Sequence, residues 1–517
     1  MKPASIHSIS AALFALVLFA CSSGNNSSQN RLGEIEFTAT GKNEAQPFFK
    51  KGLQYLHSFE YEDAQEEFRR ARETDPDFAM AYWGEAMTHN HTLWREQDFD
   101  EGNRILHMLD PNPEERIQRA KTDLEKDLMK GVNILYGKGN KSDRDSSYAA
   151  YMETLYKKYP GNNEIASFYS LSLIGWGLVG RQTPIFEKAA DIAKEVLDRN
   201  PRHPGALHYL IHAYDDPDHA TRALQAANKY AVVAPDAGHA LHMPTHIYLA
   251  LGMWDKVISS NIESWNAELA RKQRKKLNNN ALGYHSWHWL QYGYLQQGDI
   301  EKAKNMVDSM QKYCSELPSP LARAHMILLK STYLAETNDY LSPIADITFD
   351  NTDLNIMTRS KDYLVTGMHA YYSRDAKKLE SVINKMAGER LIEEQKISDK
   401  GLRVCGNINR SIATKSDLEK TEIMELELRA MQALLNNNDA EAEKYFKLAT
   451  DLENKTSYAY GPPQVARPSF ELYGEWLLSK NRAKEAVQQF KRSLELAPNR
   501  TIALEGLKKA ESLTAKL

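Results

Sequence analysis

Apolar and small residues recur along most of the chain at three- and four-residue spacing, in stripes separated by short polar breaks. Phe48, Gly52 and Tyr55 form one stripe, Ala64, Phe68 and Ala71 the next, and Pro76 closes the unit. That spacing puts the apolar positions on one face of a helix, and two stripes around a polar break predict two helices folded back on each other. The layout returns between Pro201 and Pro235, 34 residues apart, with Leu207, Leu210, Ile211, Tyr214, Ala223 and Ala227 in step. It opens again over Ala240 to Tyr248, near Tyr284 (Trp287, Leu290, Tyr294, Ala303) and near Phe470 (Tyr473, Gly474, Leu477, Ala486, Phe490, Pro498). No segment alternates with period two for long enough to predict a sheet. The predicted fold class is all-α, a stack of helix pairs in which a proline ends the second helix.

Small residues where the helices cross, the terminal proline and the period together resemble the tetratricopeptide repeat. The resemblance implies an α-solenoid superhelix of roughly ten to twelve helix-turn-helix pairs, with the first helix of each pair lining a concave groove. Clear repeats are expected at about 45-78, 204-237, 238-270, 284-317, 423-452 and 467-500, with a weaker copy around Tyr363 to Val382. A polar cap is expected over 501-517, and the array as a whole over 34-517. Gln97 to Pro113 reads as an insertion, Arg271 to Asn280 lengthens one repeat, and Leu341 to Asn355 is acidic, turn-rich and fits no repeat.

The N-terminus departs from this pattern. Its apolar run, Ile9 to Ala20, follows a single basic residue, Lys2, and is shorter than the roughly 20 residues a membrane span needs, so residues 1-20 read as a signal. Leu18-Phe19-Ala20-Cys21 resembles a bacterial lipobox, which implies cleavage before Cys21 and lipid on its thiol; Phe19 is bulkier than that pattern usually carries, and an ordinary secretory peptide is the alternative. Ser22 to Asn30 has no apolar content, and residues 21-33 read as a flexible tether. The expected location is the outer membrane, at its periplasmic face or the cell surface. Cys314 and Cys405 could pair in an oxidising compartment and have no metal-type spacing. A net charge of −4 over 517 residues argues against a nucleic-acid binder, which needs a concentrated basic surface.

The candidate chemistry is histidine. Nine of sixteen histidines lie between His203 and His288, where an even spread would put about 2.7. In the tetratricopeptide family, positions 4, 7, 8 and 11 of the first helix pack the core and positions 2, 5, 9, 12 and 13 face the groove. Counted from Pro204, Gly238 and Tyr284, that register puts His208, His242 and His288 at position 5, His212 and His246 at 9, and His239 and His285 at 2. Imidazoles four residues apart share a helix face and can hold one ion, and neighbouring first helices could converge on one metal or on two close ones. Zinc or copper suits a site rich in imidazole and poor in thiolate and carboxylate. Two other readings stay open: a metal-free polar groove for carbohydrate, carboxylate or peptide, and purely structural hydrogen bonding.

Asp215 and Asp216 either orient an imidazole or begin the turn after His212, and the turn is the blander reading. His57, His89 and His91 could face the groove from the N-terminal side. Glu471 and Glu475, at positions 5 and 9, could be an acid/base pair but read more simply as a solvated face, as does the basic run Arg271 to Lys276. Among the aromatic residues, Trp83, Trp94, Trp287 and Trp289 could stack on sugars, although Trp287 falls on a packing position. His203 to His212 and Gly238 to His246, with Ala81-Tyr82-Trp83-Gly84 and His89-Asn90-His91, resemble a histidine-rich subgroup of exported bacterial tetratricopeptide lipoproteins; that resemblance brings no activity with it. HExxH, P-loop, Rossmann and Gly-x-Ser-x-Gly motifs are absent.

The expected function is a lipid-anchored binding or scaffold module for protein, peptide or carbohydrate, accessory to an outer-membrane nutrient system such as polysaccharide use. A zinc- or copper-dependent hydrolase or oxidase is the alternative.

Overall fold

The computed structural model describes residues 31–94, 96–176, 182–396 and 413–515. Cys21, the signal and most of the tether lie outside those residues, as does Cys405; Cys314 is a buried free thiol. No described helix is long and apolar enough to cross a membrane.

Helices follow one another as antiparallel pairs: α1 (Gln46–His57) with α2 (Tyr61–Thr74), α3 (Ala79–Met87) with α4 (Phe99–Leu109), then the single short α5 (Pro113–Arg119). Next come α6 (Asp123–Leu135) with α7 (Lys141–Lys158), α8 (Asn163–Trp176) with α9 (Thr183–Arg199), and α10 (Pro204–Ala213) with α11 (Leu224–Val233). The following first helix is split into α12 (Gly238–His242) and α13 (Pro244–Ala250) and pairs with α14 (Trp254–Lys275); α15 (Tyr284–Gln296) pairs with α16 (Ile300–Glu316). After α17 (Pro320–Thr337) come α18 (Ile356–Tyr372) with α19 (Ala376–Lys396), α20 (Lys415–Leu435) with α21 (Asp439–Lys455), α22 (Ser469–Ser479) with α23 (Ala483–Leu496), and the cap α24 (Thr501–Thr514). The fold is the expected all-α array of tetratricopeptide-like helix pairs.

Phe68 shows why the crossings demand small residues. Its ring lies against Gly52 and Gly84, where a β-carbon would meet it within 2.9 Å and 2.3 Å.

One segment differs from expectation. Gln97 to Pro113 is no insertion: a two-residue antiparallel ladder, Asn90–His91 with Glu96–Gln97, leads into α4, which buries Ile105, Leu106 and Leu109 against α3 as its partner. The hairpin displaces that stripe from the repeat period, which hid it. Leu341 to Asn355 holds a 3-10 turn, Pro343–Asp346, where the partner of α17 would stand.

The array also curls back on itself. Arg271 and Lys275 of α14, expected on a solvated face, pair with Glu62, Asp63 and Glu66 of α2. The segment before α1 bonds to the middle of the chain through Arg31 to Asp236 (2.8 Å) and Glu34 to Arg202 (2.6 Å). From the other side Arg500, fully buried at the start of α24, donates to Tyr292 (2.9 Å), Glu336 (2.6 Å) and Glu471. Glu471 is therefore a buried ion-pair partner rather than part of a solvated face, whereas Glu475 is exposed, as that reading expects, and pairs with Arg467.

Candidate metal centre

α10, α12, α13 and α15 bring six histidines into one chamber. Pro204 starts α10 with φ preset and no N–H to waste, and His203 accepts the Ala206 N–H (3.1 Å) as its N-cap. His208 and His212 then fall one turn apart with ring centroids 5.0 Å apart. In the next first helix, Pro244 removes a helical N–H between α12 and α13. Met243 keeps helical angles (φ −53°, ψ −36°), so His242 and His246 still stack on one face, 5.3 Å between centroids. Thr245 donates its hydroxyl to the His242 carbonyl (2.7 Å) at this break.

The imidazoles form two triads, His208 with His212 and His239, and His242 with His246 and His285; within each, one ligand atom per residue lies within 4.8 Å of the others. The triads meet where His212 and His246 stand 5.1 Å apart, and the Nδ1 of each lies 3.2 Å from the same Asp215 Oδ2. Asp215 thus orients two rings, while Asp216 makes the turn by accepting the Asp218 and His219 N–H groups (3.0 and 3.1 Å).

Ring orientation fixes the tautomers. The His208 Nδ1 faces the His57 carbonyl (2.7 Å) and the His242 Nδ1 the Asn261 Oδ1 (2.7 Å), an amide held in place by its own bond to Val257 O (2.9 Å). Both acceptors require Nδ1 to carry the proton, which leaves Nε2 with a lone pair. The Nε2 atoms of His208, His212, His239 and His242 are buried without a hydrogen-bond partner. Burial lowers His208 well below its ordinary value, His242 to about 3 and His246 to about 4, the last partly offset by Asp215, so the rings are neutral at neutral pH. Neutral imidazole held through Nδ1 by a carbonyl, amide or carboxylate is the form that ligates a transition metal through Nε2.

The walls are aromatic. Phe59 packs on His208 (4.2 Å), Trp289 on His246 (4.6 Å) and His242 (4.9 Å), and Tyr460 on His246 (4.6 Å). Tyr460 belongs to the irregular segment between α21 and α22, which crosses the concave face. Gly461 follows at φ +96°, against the Trp289 ring, a backbone conformation and a closeness that suit only glycine. Exposure rises toward the N-terminal turns of α12 and α15, from buried His208, His212, His242 and His246 to half-buried His239 and exposed His285. Two carboxyls flank that side: Glu60, which accepts the His239 N–H (2.8 Å), and Glu268, against Gly238 and Gly283. Burial raises them to about 7 and about 8.

Other candidates lie elsewhere. His288 bonds Thr332 Oγ1 (2.8 Å) and joins neither triad. His89 bonds Gln65 (2.9 Å), and His91 bonds Thr88 O (3.1 Å) and stacks on Tyr61. Trp287 packs on Trp265 (4.1 Å).

His57 belongs to a second buried cluster that the sequence did not suggest, in which Glu164 receives His57 Nε2 (2.7 Å) and His203 Nε2 (3.1 Å). Here every ring nitrogen has a partner, since His57 Nδ1 bonds Tyr209 (2.8 Å) and His203 Nδ1 takes the Ala206 N–H (3.1 Å). Gly205 makes room for it, because a β-carbon there would sit 2.4 Å from His57 Nδ1.

No family model matches the chain. No curated protein matches it either. Solved structures similar to it include yeast Tom70, at 13% identity over 91% of this chain and 89% of that one with a TM-score of 0.32. The APC/C hetero-tetramer Cut9-Hcn1 is similar at 15% identity over 92% and 78%, TM-score 0.35. The P58(IPK) TPR domain is similar at 14% identity over 92% and 99%, TM-score 0.20. Scores this low leave the architecture to be read from the helix pairs themselves.

Proposed function

We propose that the chain is a helical-repeat binding module that holds a transition-metal ion, zinc or copper, in the histidine chamber, and that Cys21 anchors it by lipid to the outer membrane. One observation carries the metal: four buried, unpartnered Nε2 atoms, three of them (His208, His212 and His242) on rings whose Nδ1 is committed to a fixed acceptor. A buried acceptor without a partner costs about 1–3 kcal/mol, and four in one aromatic-walled chamber are hard to retain unless something binds them. The ligand set is nitrogen-rich, which suits zinc or copper over calcium or magnesium.

The anchoring rests on the Leu18-to-Cys21 pattern, and a protein or carbohydrate partner on the array's remaining surface. A hydrolase or oxidase has less support. Asp215, which contacts imidazole nitrogens of both triads, is engaged by His212 and His246 rather than turned toward a substrate as a general base.

Elemental analysis after loading with zinc or copper and extensive dialysis tests the reading. The wild-type chain is expected to retain metal and to gain about 2.7 kcal/mol of stability at a free-ion concentration 100-fold above Kd. His242→Ala/His246→Ala, folded by circular dichroism, is expected to lose the metal held by the His242–His246–His285 group and the stability that ion adds. A wild-type chain that keeps no stoichiometric metal would refute it.

A further inference from the structure

We propose that the chamber is a two-ion centre, with one transition-metal ion in each histidine triad and Asp215 aligning one imidazole of each. The inference rests on the metal-binding reading above and deepens it from a site to a pair.

Six imidazoles are more than one ion takes. Zinc accepts about four ligands and copper similar numbers. The six divide by geometry rather than forming one crowded set: three close on one focus, three on another, each within 4.8 Å. Each triad draws its rings from two helices, α10 and α12 for the first and α12–α13 and α15 for the second. Three nitrogens leave a position open on each ion, the arrangement of sites that admit an exogenous ligand.

Asp215 is what makes the two foci one centre. A single oxygen, Oδ2, receives Nδ1 from His212 of one triad and from His246 of the other, both at 3.2 Å. The two ring planes stand 81° apart, so each ring's far nitrogen is left to its own triad. Asp215 thus sets a carboxylate between the two triads, and Glu60 and Glu268 place two further carboxyl groups on the solvent side. Each triad has one less buried member at the second position of a helix, half-buried His239 and exposed His285, so each proposed ion has a ligand whose removal spares the fully buried rings.

Zinc content per folded chain, measured for wild type, His239→Ala, His285→Ala and the double variant, tests the proposal. Two ions are expected in the wild type, about one in each single variant and neither in the double variant. Loaded with copper(II), the wild type is expected to give a spin-coupled electron paramagnetic resonance spectrum and each single variant the spectrum of an isolated ion. One ion per wild-type chain, or two single variants that deplete the same ion, overturns the pair while leaving metal binding intact. No ion at all removes the metal reading itself. Retained far-ultraviolet circular dichroism in the variants separates ligand loss from unfolding.

Discussion

Two histidine clusters adjoin α10, and they are made from nearly the same parts. In one, His57 and His203 share Glu164; in the other, His212 and His246 share Asp215. Both are buried, both rely on a single carboxylate, and both sit among aromatic rings. They differ in where the remaining nitrogens point. Around Glu164 these meet Tyr209 and the Ala206 N–H, so the cluster is complete in itself. Around Asp215 the Nε2 of His212 meets no protein partner, and neither do those of neighbouring His208, His239 and His242. The first is a strut and the second a receptacle. Histidine count and burial do not tell them apart; counting partners for each nitrogen does.

The sharpest way to break the comparison is Glu164→Ala. It strands two buried imidazole N–H donors and is expected to cost about 3–5 kcal/mol of stability by urea denaturation, without altering metal content. A loss of bound metal at unchanged stability would show that the roles of the two clusters had been exchanged.

Acid is the next test. His242 and His246 stay neutral in the fold to about 3 and about 4, against an ordinary 6.5 when unfolded. Between those limits the unfolded chain binds more protons, so the metal-free fold should lose stability as pH falls from about 6.5, by up to about 1.4 kcal/mol per pH unit for each ring. Thermal melts of metal-free protein across that range check the sign. His242→Leu/His246→Leu should flatten the slope.

The smallest effect is the most discriminating. His239→Leu replaces an unpartnered buried acceptor with apolar volume of similar size and should change metal-free stability by no more than about 1 kcal/mol. The same change at His57 removes bonds to Glu164 and Tyr209 and should destabilise by clearly more. Equal costs in chemical denaturation would erase the distinction.

Much of this was legible in the sequence because repeat register is a local property. The helix pairs and the stacking of His208 over His212 and of His242 over His246 follow from 3.6-residue periodicity and a fixed phase. What escaped depends on long-range closure. Glu164 reaches His57 across 107 residues, and Tyr460 reaches His246 from α21's far side. Small rotations accumulate from repeat to repeat, so the pattern names neighbours in the stack and leaves distant helices unassigned. The register puts the histidines on the concave face but does not reveal that the face is covered by Tyr460. Asp215, for which the sequence leaves both a turn and an orienting role open, holds two rings only because α13 folds beside α10.

Arg500 carries a consequence of a different kind. Through it α24 is fastened to Tyr292 and Glu336, and on the opposite side Arg31 and Glu34 fasten the approach to α1 onto the middle repeats. An open solenoid can lengthen or shorten by whole repeats, because each repeat touches only its neighbours. This array is more like an arch locked by keystones. Inserting or deleting one pair would move both fastenings out of register at once, so its repeat number is set by geometry and is not free to drift as the lineage changes.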